Sequence, residues 1–175
     1  HIVTIQDQVQ LYVASGDMGE TLAKDMGFHY TLVYQPENLQ TEGQDTEATA
    51  KALLAHQVDL ILFAGGDGTA RNVCHVVGSS VPVLGVPAGC KIHSAVYAIT
   101  PAAAGRVLKQ VIKGEIVSVS DAEVMDIDEA LFRNGKVNAR QFGEMQVPTE
   151  LRYIQAVKMG GKESDELVLA DIAAH

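Results

Sequence analysis

One stretch constrains this chain more than any other: "LILFAGGDGTARNV", residues 60–73. Five apolar residues in a row are too few for a membrane span and right for a buried strand. Two glycines, an aspartate and a third glycine then stop the strand. A helical pattern starts at once, so this is a strand–turn–helix junction of the kind that builds parallel α/β sheets. Glycines let backbone N–H groups approach an anion with no Cβ in the way. The following helix points its positive end at the same place. The junction is therefore built to receive an anion, and it carries a carboxylate, Asp67, in its middle. A carboxylate repels a bare phosphate. Two roles remove the conflict: binding the magnesium that accompanies a nucleotide, or taking a proton from a hydroxyl that attacks a phosphoryl group. A plainer reading is a helix cap at Thr69–Ala70 in a tight turn.

The rest of the chain repeats the alternation. "VQLYVASGDMGETLAKDMG" (residues 9–27) reads as strand, turn and helix, with Asp17 and Glu20 as an N-cap and third-position carboxylate and Gly27 as the stop. "FHYTLVY" is a second strand. "PENLQTEGQDTE" is a polar loop, and "DTEATAKALLAHQV" a helix with Ala48, Ala52, Leu53 and Ala55 on one side. The strand at 58–66 is expected to be buried on both faces. Val73, Cys74 and Val77 face inward from the helix after it, and "VPVLGVPAG" is another buried strand. His93 follows as the opening of the next element, read as a helix. Thr100 caps a helix with Pro101 in its first turn; its stripe is Val107, Leu108, Val111 and Ile112, and Gly114 ends it. After Gly114 the texture turns to alternating strands, "EIVSVSDAEVMDID" and "KVNARQFGEMQVP", joined through "EALFRNG". The final "KESDELVLADIAAH" reads as a helix. The fold class is thus α/β: a Rossmann-like parallel sheet flanked by helices over residues 1–114, then the start of a β-rich second domain, incomplete, over 115–175.

Composition excludes several functions. Net charge is −9 over 175 residues, which argues against a nucleic-acid partner. No apolar run is long enough to cross a membrane. The only cysteines, Cys74 and Cys90, and six scattered histidines give no metal-ligand spacing, so no residue is assigned to a metal. A disulfide between the two is not expected, and the compartment is read as a reducing cytoplasm. The chain opens on His1 with no leader pattern and ends in "ADIAAH", and it reads as a fragment.

"GGDGT" after an apolar strand, with "ARNV" opening the helix, resembles the signature of the NAD kinase and diacylglycerol kinase superfamily. "PVLGVPAGCKIHSAVYAITP" (residues 82–101) resembles the strand and turn where its lipid kinases carry a Gly-x-x-Pro-x-Gly run; Gly85, Pro87 and Gly89 match. Cys90, Lys91, Ile92 and His93 depart from the Thr-Gly-Asn-Asp that lipid kinases carry next. With "AEVMDID" and "RYIQAVK", the whole looks most like the long prokaryotic ATP-NAD kinase-like branch.

The resemblance implies an NAD kinase N-terminal-domain-like fold and an enzyme that uses ATP or polyphosphate, with magnesium, to phosphorylate NAD at its 2′-hydroxyl. In that scheme Asp67 is the catalytic carboxylate. Gly65, Gly66, Gly68 and Thr69 shape the nucleotide-binding loop and contact phosphates, and Asn72 reaches the nucleotide from one turn along the helix. Gly89 and Lys91 lie in the second loop, where an ammonium neutralises phosphate charge. The bland alternatives are a surface Asn72, a solvated loop Lys91, a structural His93 and a capping Asp17. Asp17 has a second reading as a residue of the cleft. Asp126 or Asp128 supplies a further carboxylate or sits on a hairpin surface. The resemblance also implies small-molecule nucleotide partners and a homo-oligomer. An early Asn-Pro strand–loop and a Gly/Thr-rich segment of the second domain are not found in the sequence. Two other functions stand beside NAD phosphorylation: a lipid or other small-molecule kinase on the same scaffold, and a nucleotide-binding regulator without turnover.

Overall fold

The computed structural model describes residues 5–89, 91–127, 134–135 and 139–149. Its elements alternate as the sequence reading expects: β1 (Leu11–Ala14), α1 (Glu20–Asp25), β2 (Tyr30–Tyr34), α2 (Gly43–Ala55), β3 (Ile61–Gly65), α3 (Asp67–Val77), β4 (Val83–Pro87) and α4 (Pro101–Ile112). Then come β5 (Val119–Ile127) and β6 (Ala139–Pro148). β1 runs parallel to β2, and β3 parallel to β4, with Ile61 opposite Val83 and Gly65 opposite Pro87. β5 and β6 are antiparallel, with an irregularity between Val124 and Met125. The architecture is α/β, with parallel strand pairs flanked by helices. Among the described residues the hydrogen bonding divides the strands into three pairs rather than one continuous sheet.

That division changes one expectation. β3 alternates instead of being buried throughout: Ile61 is inside, while Leu62 is 48% exposed. Only one face of β3 packs on the core, so its side chains sort by the two-residue period of a strand. Ile61 and Phe63 pack into the core. β4 is as buried as expected, with Val83 and Leu84 fully enclosed.

The helices follow their local chemistry. In α4 the Thr100 hydroxyl accepts the Ala103 amide at 3.0 Å, and Pro101 holds the first helical position. Past its end Gly114 takes a left-handed φ of 71°. α2 begins two residues before the expected Asp45. Glu42 and Asp45 form a reciprocal cap there, and the Glu42 amide donates to Asp45 Oδ2 at 2.8 Å. Its buried residue is Ala50, with Leu53 and Leu54 beside the core; Ala55, expected inside, is exposed.

Asp17 is not a helix cap. It lies exposed inside a short 3-10 turn, Gly16–Met18, and α1 starts only at Glu20. The break is Gly19, whose φ of 135° interrupts the helical path. Glu20 plays its expected part in another form: its carboxylate accepts the Gly16 amide at 3.0 Å.

Residues 93–98 are not the start of a helix either. The segment Ser94–Ala98 is buried: a turn at Ala95 and Val96 leads into a parallel bridge between Tyr97 and Gly85. Gly85 N–H donates to Val96 O and Ala98 N–H to Gly85 O, both at 2.9 Å, and Ala95 N–H donates to Glu123 O at 2.8 Å. Partners outside the segment thus take up part of its backbone, in place of the bonds a helix would make within it.

The main core joins α3, β4, the 94–98 segment, α4 and the inner face of the β5–β6 pair. Val73, Cys74, Val77, Leu84, Val96, Tyr97, Val107, Val124, Met145 and Val147 form one cluster. Cys74 is a free, buried thiol, and burial pushes its pKa up. Cys90, Asp128, "RYIQAVK", the final expected helix and most of "EALFRNG" lie outside the described residues.

Candidate functional site

The GGDGT turn sits where β3 ends and α3 begins. Gly65 closes the strand, and a Cβ there would collide with the Thr69 side chain, so the turn can be this tight only with glycine. Gly65 O accepts the Ala88 amide at 3.0 Å, which ties the turn to the loop after β4. Gly66 caps α3, and its carbonyl accepts the Ala70 amide at 3.1 Å. The amides of Asp67, Gly68 and Thr69 open the helix and have no acceptor within it. No heavy atom lies within 4 Å of where a Cβ would stand on Gly66 or Gly68, so space remains for an anion to approach.

Asp67 does not cap the helix. Its carboxylate turns to the loop that follows β4. Oδ1 accepts the Ser94 amide at 2.9 Å and the His93 amide at 3.2 Å; Oδ2 accepts the His93 amide at 2.9 Å. His93 Nδ1 lies 3.1 Å from Oδ2. The Asp67 side chain is 9% exposed and that of His93 36%. The negative charge is thus directed at N–H groups of the second loop.

Ser94 and Tyr97 fix the second loop from beneath. Ser94 is fully buried, and its hydroxyl accepts the Met125 amide of β5 at 2.9 Å. The fully buried Tyr97 donates its hydroxyl to Gly66 O at 2.5 Å. Burial and, second, the Asp67 charge raise its phenol pKa far above the ordinary tyrosine value, so it stays a neutral donor. Phe63 backs it edge-on, with ring centroids 5.4 Å apart. Sequence reasoning named neither Ser94 nor Tyr97. The signal was Gly85: a glycine inside a buried strand marks a close approach, and a Cβ there would collide with the Tyr97 ring.

The other expected site residues fall as follows. Gly65, Gly66, Asp67 and Thr69 share one turn, with the loop of Gly89 and Lys91 drawn against it by the Asp67 bonds. Gly89 and Lys91 are exposed, as is Gly68. Asn72 packs against the start of α2, where a Cβ on Gly43 would stand 2.6 Å from its Nδ2. Asp126 is held between Arg71 at 3.2 Å and Arg140 at 3.7 Å. Asp17 is exposed on the turn after β1.

No group of three or more histidine, cysteine, aspartate or glutamate side chains among the described residues forms a metal cage. Asp67 is filled by N–H donors and does not fit a resident cation. No helix of the described residues is long and apolar enough to cross a membrane.

Fold and turn together define an α/β protein with a glycine-rich turn and an open helix N-terminus at the carboxyl end of a parallel strand. The family model described as the ATP-NAD kinase N-terminal domain matches residues 3–116, more than half of the 175, and the chain belongs to that family of kinases. No curated protein and no solved structure matches the chain significantly.

Proposed function

We propose that this chain carries the nucleotide-handling part of a kinase that transfers a phosphoryl group from ATP, or from polyphosphate, to the 2′-hydroxyl of NAD, giving NADP. The observation that carries the reading is the Asp67 clamp. It holds a shielded carboxylate between two strand-end loops, beside an open helix N-terminus. Phosphoryl transfer asks a protein mainly for positioning and charge neutralisation, and this junction supplies both. The backbone amides of Gly65, Gly66, Gly68 and Thr69, with the Thr69 hydroxyl, hold donor phosphates. Gly89 and Lys91 approach from the second loop, the lysine as counter-charge. Asn72, in contact with Gly43, steadies the helix rather than touching nucleotide. Magnesium comes with ATP, and activation of the acceptor hydroxyl depends on Asp67. Work in a reducing cytoplasm is part of the same reading. Assembly as a homo-oligomer belongs to the same reading, as does a division in the sequence near residue 115, where the family match ends.

The test is calorimetric binding of NAD and of magnesium–ATP, with NADP followed on incubation, for wild type and Asp67→Asn. Asparagine keeps one oxygen to accept the Ser94 amide. The variant is expected to lose phosphoryl transfer by about 10²-fold or more, with nucleotide affinity held within about tenfold. Full activity in the variant refutes the assignment. Binding of ATP without NAD by an active wild type moves the acceptor to another alcohol.

A further inference from the structure

Arg71 stands on α3 four residues after Asp67, so the two share a face of the helix, with about 6 Å of rise between them. Long side chains on a helix lean toward its N-terminus, which carries the Arg71 guanidinium back toward the first turn. β5 fixes it there. Met125 N–H donates to Ser94 Oγ, and Ser94 N–H donates to Asp67 Oδ1, both at 2.9 Å. Asp126, the next residue of the strand, accepts from Arg71 Nη1 at 3.2 Å. The guanidinium is thus held alongside the turn whose opening amides have no acceptor within the helix. Asp126 is an odd residue for its place. By the two-residue period of a strand it continues the inward series of Ala122 and Val124, both buried. A second arginine also approaches it: Nη2 of Arg140, its cross-strand partner, is 3.7 Å from Oδ2. One carboxylate between two guanidiniums leaves one positive charge over, in a chain of net charge −9. Among the described residues Arg71 spends on Asp126 one of the five N–H donors of a guanidinium, and its side chain is 45% exposed. An ion pair this open adds little as a strut, because solvent screens it.

We propose that Arg71 is a phosphate-binding residue of this turn, and that Asp126 holds its guanidinium ready and yields it to a phosphate of the phosphoryl donor. This rests on the kinase reading and adds a residue to it. The planar fork of a guanidinium matches two oxygens of one phosphate, and the amides that open α3 take others. Arg140 keeps Asp126 paired once Arg71 has turned, so no lone carboxylate is left beside the arriving anion. Asp126 therefore acts through Arg71 and does not itself touch the ligand.

The experiment is calorimetry with inorganic tripolyphosphate and with magnesium–ATP on the full-length protein. It compares wild type, Arg71→Ala, Arg71→Lys, Asp126→Asn and the Arg71→Ala/Asp126→Asn double variant, with thermal melts to show that each folds. Arg71→Ala is expected to weaken both ligands by about tenfold or more, since a charge-assisted fork is lost. Arg71→Lys keeps the charge but not the fork and should recover only part of the loss; it is the variant to read if alanine unfolds the chain. Asp126→Asn releases the guanidinium and should tighten binding by about two- to fivefold. In the double variant that gain should vanish, leaving the affinity of Arg71→Ala alone. If Asp126→Asn helps as much without Arg71 as with it, the effect is net charge alone and the proposal fails. It fails also if Asp126→Asn weakens binding as Arg71→Ala does, for the pair is then a strut that shapes the turn. A wild type that binds tripolyphosphate with the expected pattern, yet forms no NADP from NAD and magnesium–ATP, leaves Arg71 its phosphate and overturns the kinase reading. NADP formation with binding indifferent to Arg71→Ala does the reverse.

Discussion

Tyr97 is wholly enclosed, yet its hydroxyl reaches the backbone of the GGDGT turn at Gly66. The space its ring occupies exists because position 85 has no Cβ. Gly85→Ala would push a methyl group into a rigid ring rather than the loose end of a chain. It is expected to destabilise the fold by about 1–3 kcal/mol and to loosen the Tyr97 bond to Gly66. Thermal melts of the variant check the first effect, and nucleotide calorimetry the second. Unchanged stability would mean that the ring has room to move. The site was only partly legible at this scale. Asp67 and its glycines stood out because a carboxylate among glycines at a strand end has few explanations. Ser94 and Tyr97 did not, because a serine or tyrosine in an apolar run gives no local sign of its partner. Those partners, Met125 and Gly66, are each 31 residues away. His93 was visible as a residue but not as the neighbour of Asp67, since its segment was read as a helix opening.

Elements join here through side chains at their ends. The Tyr34 hydroxyl, at the end of β2, donates to Asp45 Oδ1 at 2.6 Å, and the Glu42 amide caps the other oxygen at 2.8 Å. The Tyr34 bond first, and the Glu42 amide second, hold the Asp45 pKa below the ordinary carboxylate value. A lowered native pKa adds stability that is present above the unfolded value, about 3.9. That stability is lost as pH falls through the native value. Tyr34→Phe should therefore melt below wild type near neutral pH, and the gap should narrow as pH drops beneath about 4. Melting curves between pH 3 and 7 decide it; a gap constant across that range would show that Asp45 ionisation is not involved. Helices and strands were largely legible because hydrophobic periodicity and caps are local signals, as at Thr100 and Gly114. The start of α2 was not, because its capping pair, Glu42 and Asp45, lies in a stretch as polar as any loop. The buried, non-helical 93–98 segment was missed because its backbone partners, Gly85 and Glu123, lie elsewhere in the chain.

The α/β class followed from the alternation of elements over the whole molecule. Which strand bonds to which did not, because pairing between distant segments leaves no mark in either. The β5–β6 pair lies beyond residue 114, yet its inner face completes the core built by α3 and β4. Met145 is fully buried there. Met145→Ala is expected to cost about 2–5 kcal/mol and to lower a single calorimetric transition rather than one of two. Two separate transitions, only one of them shifted, would mean that the strand pair folds apart from the rest. The clamp between Asp67 and the 93–94 amides bears on how the molecule is made. A growing chain holds the GGDGT turn long before it holds the amides that turn the aspartate aside. The turn therefore reaches its finished form only once the chain has been made through Ser94, 27 residues beyond Asp67.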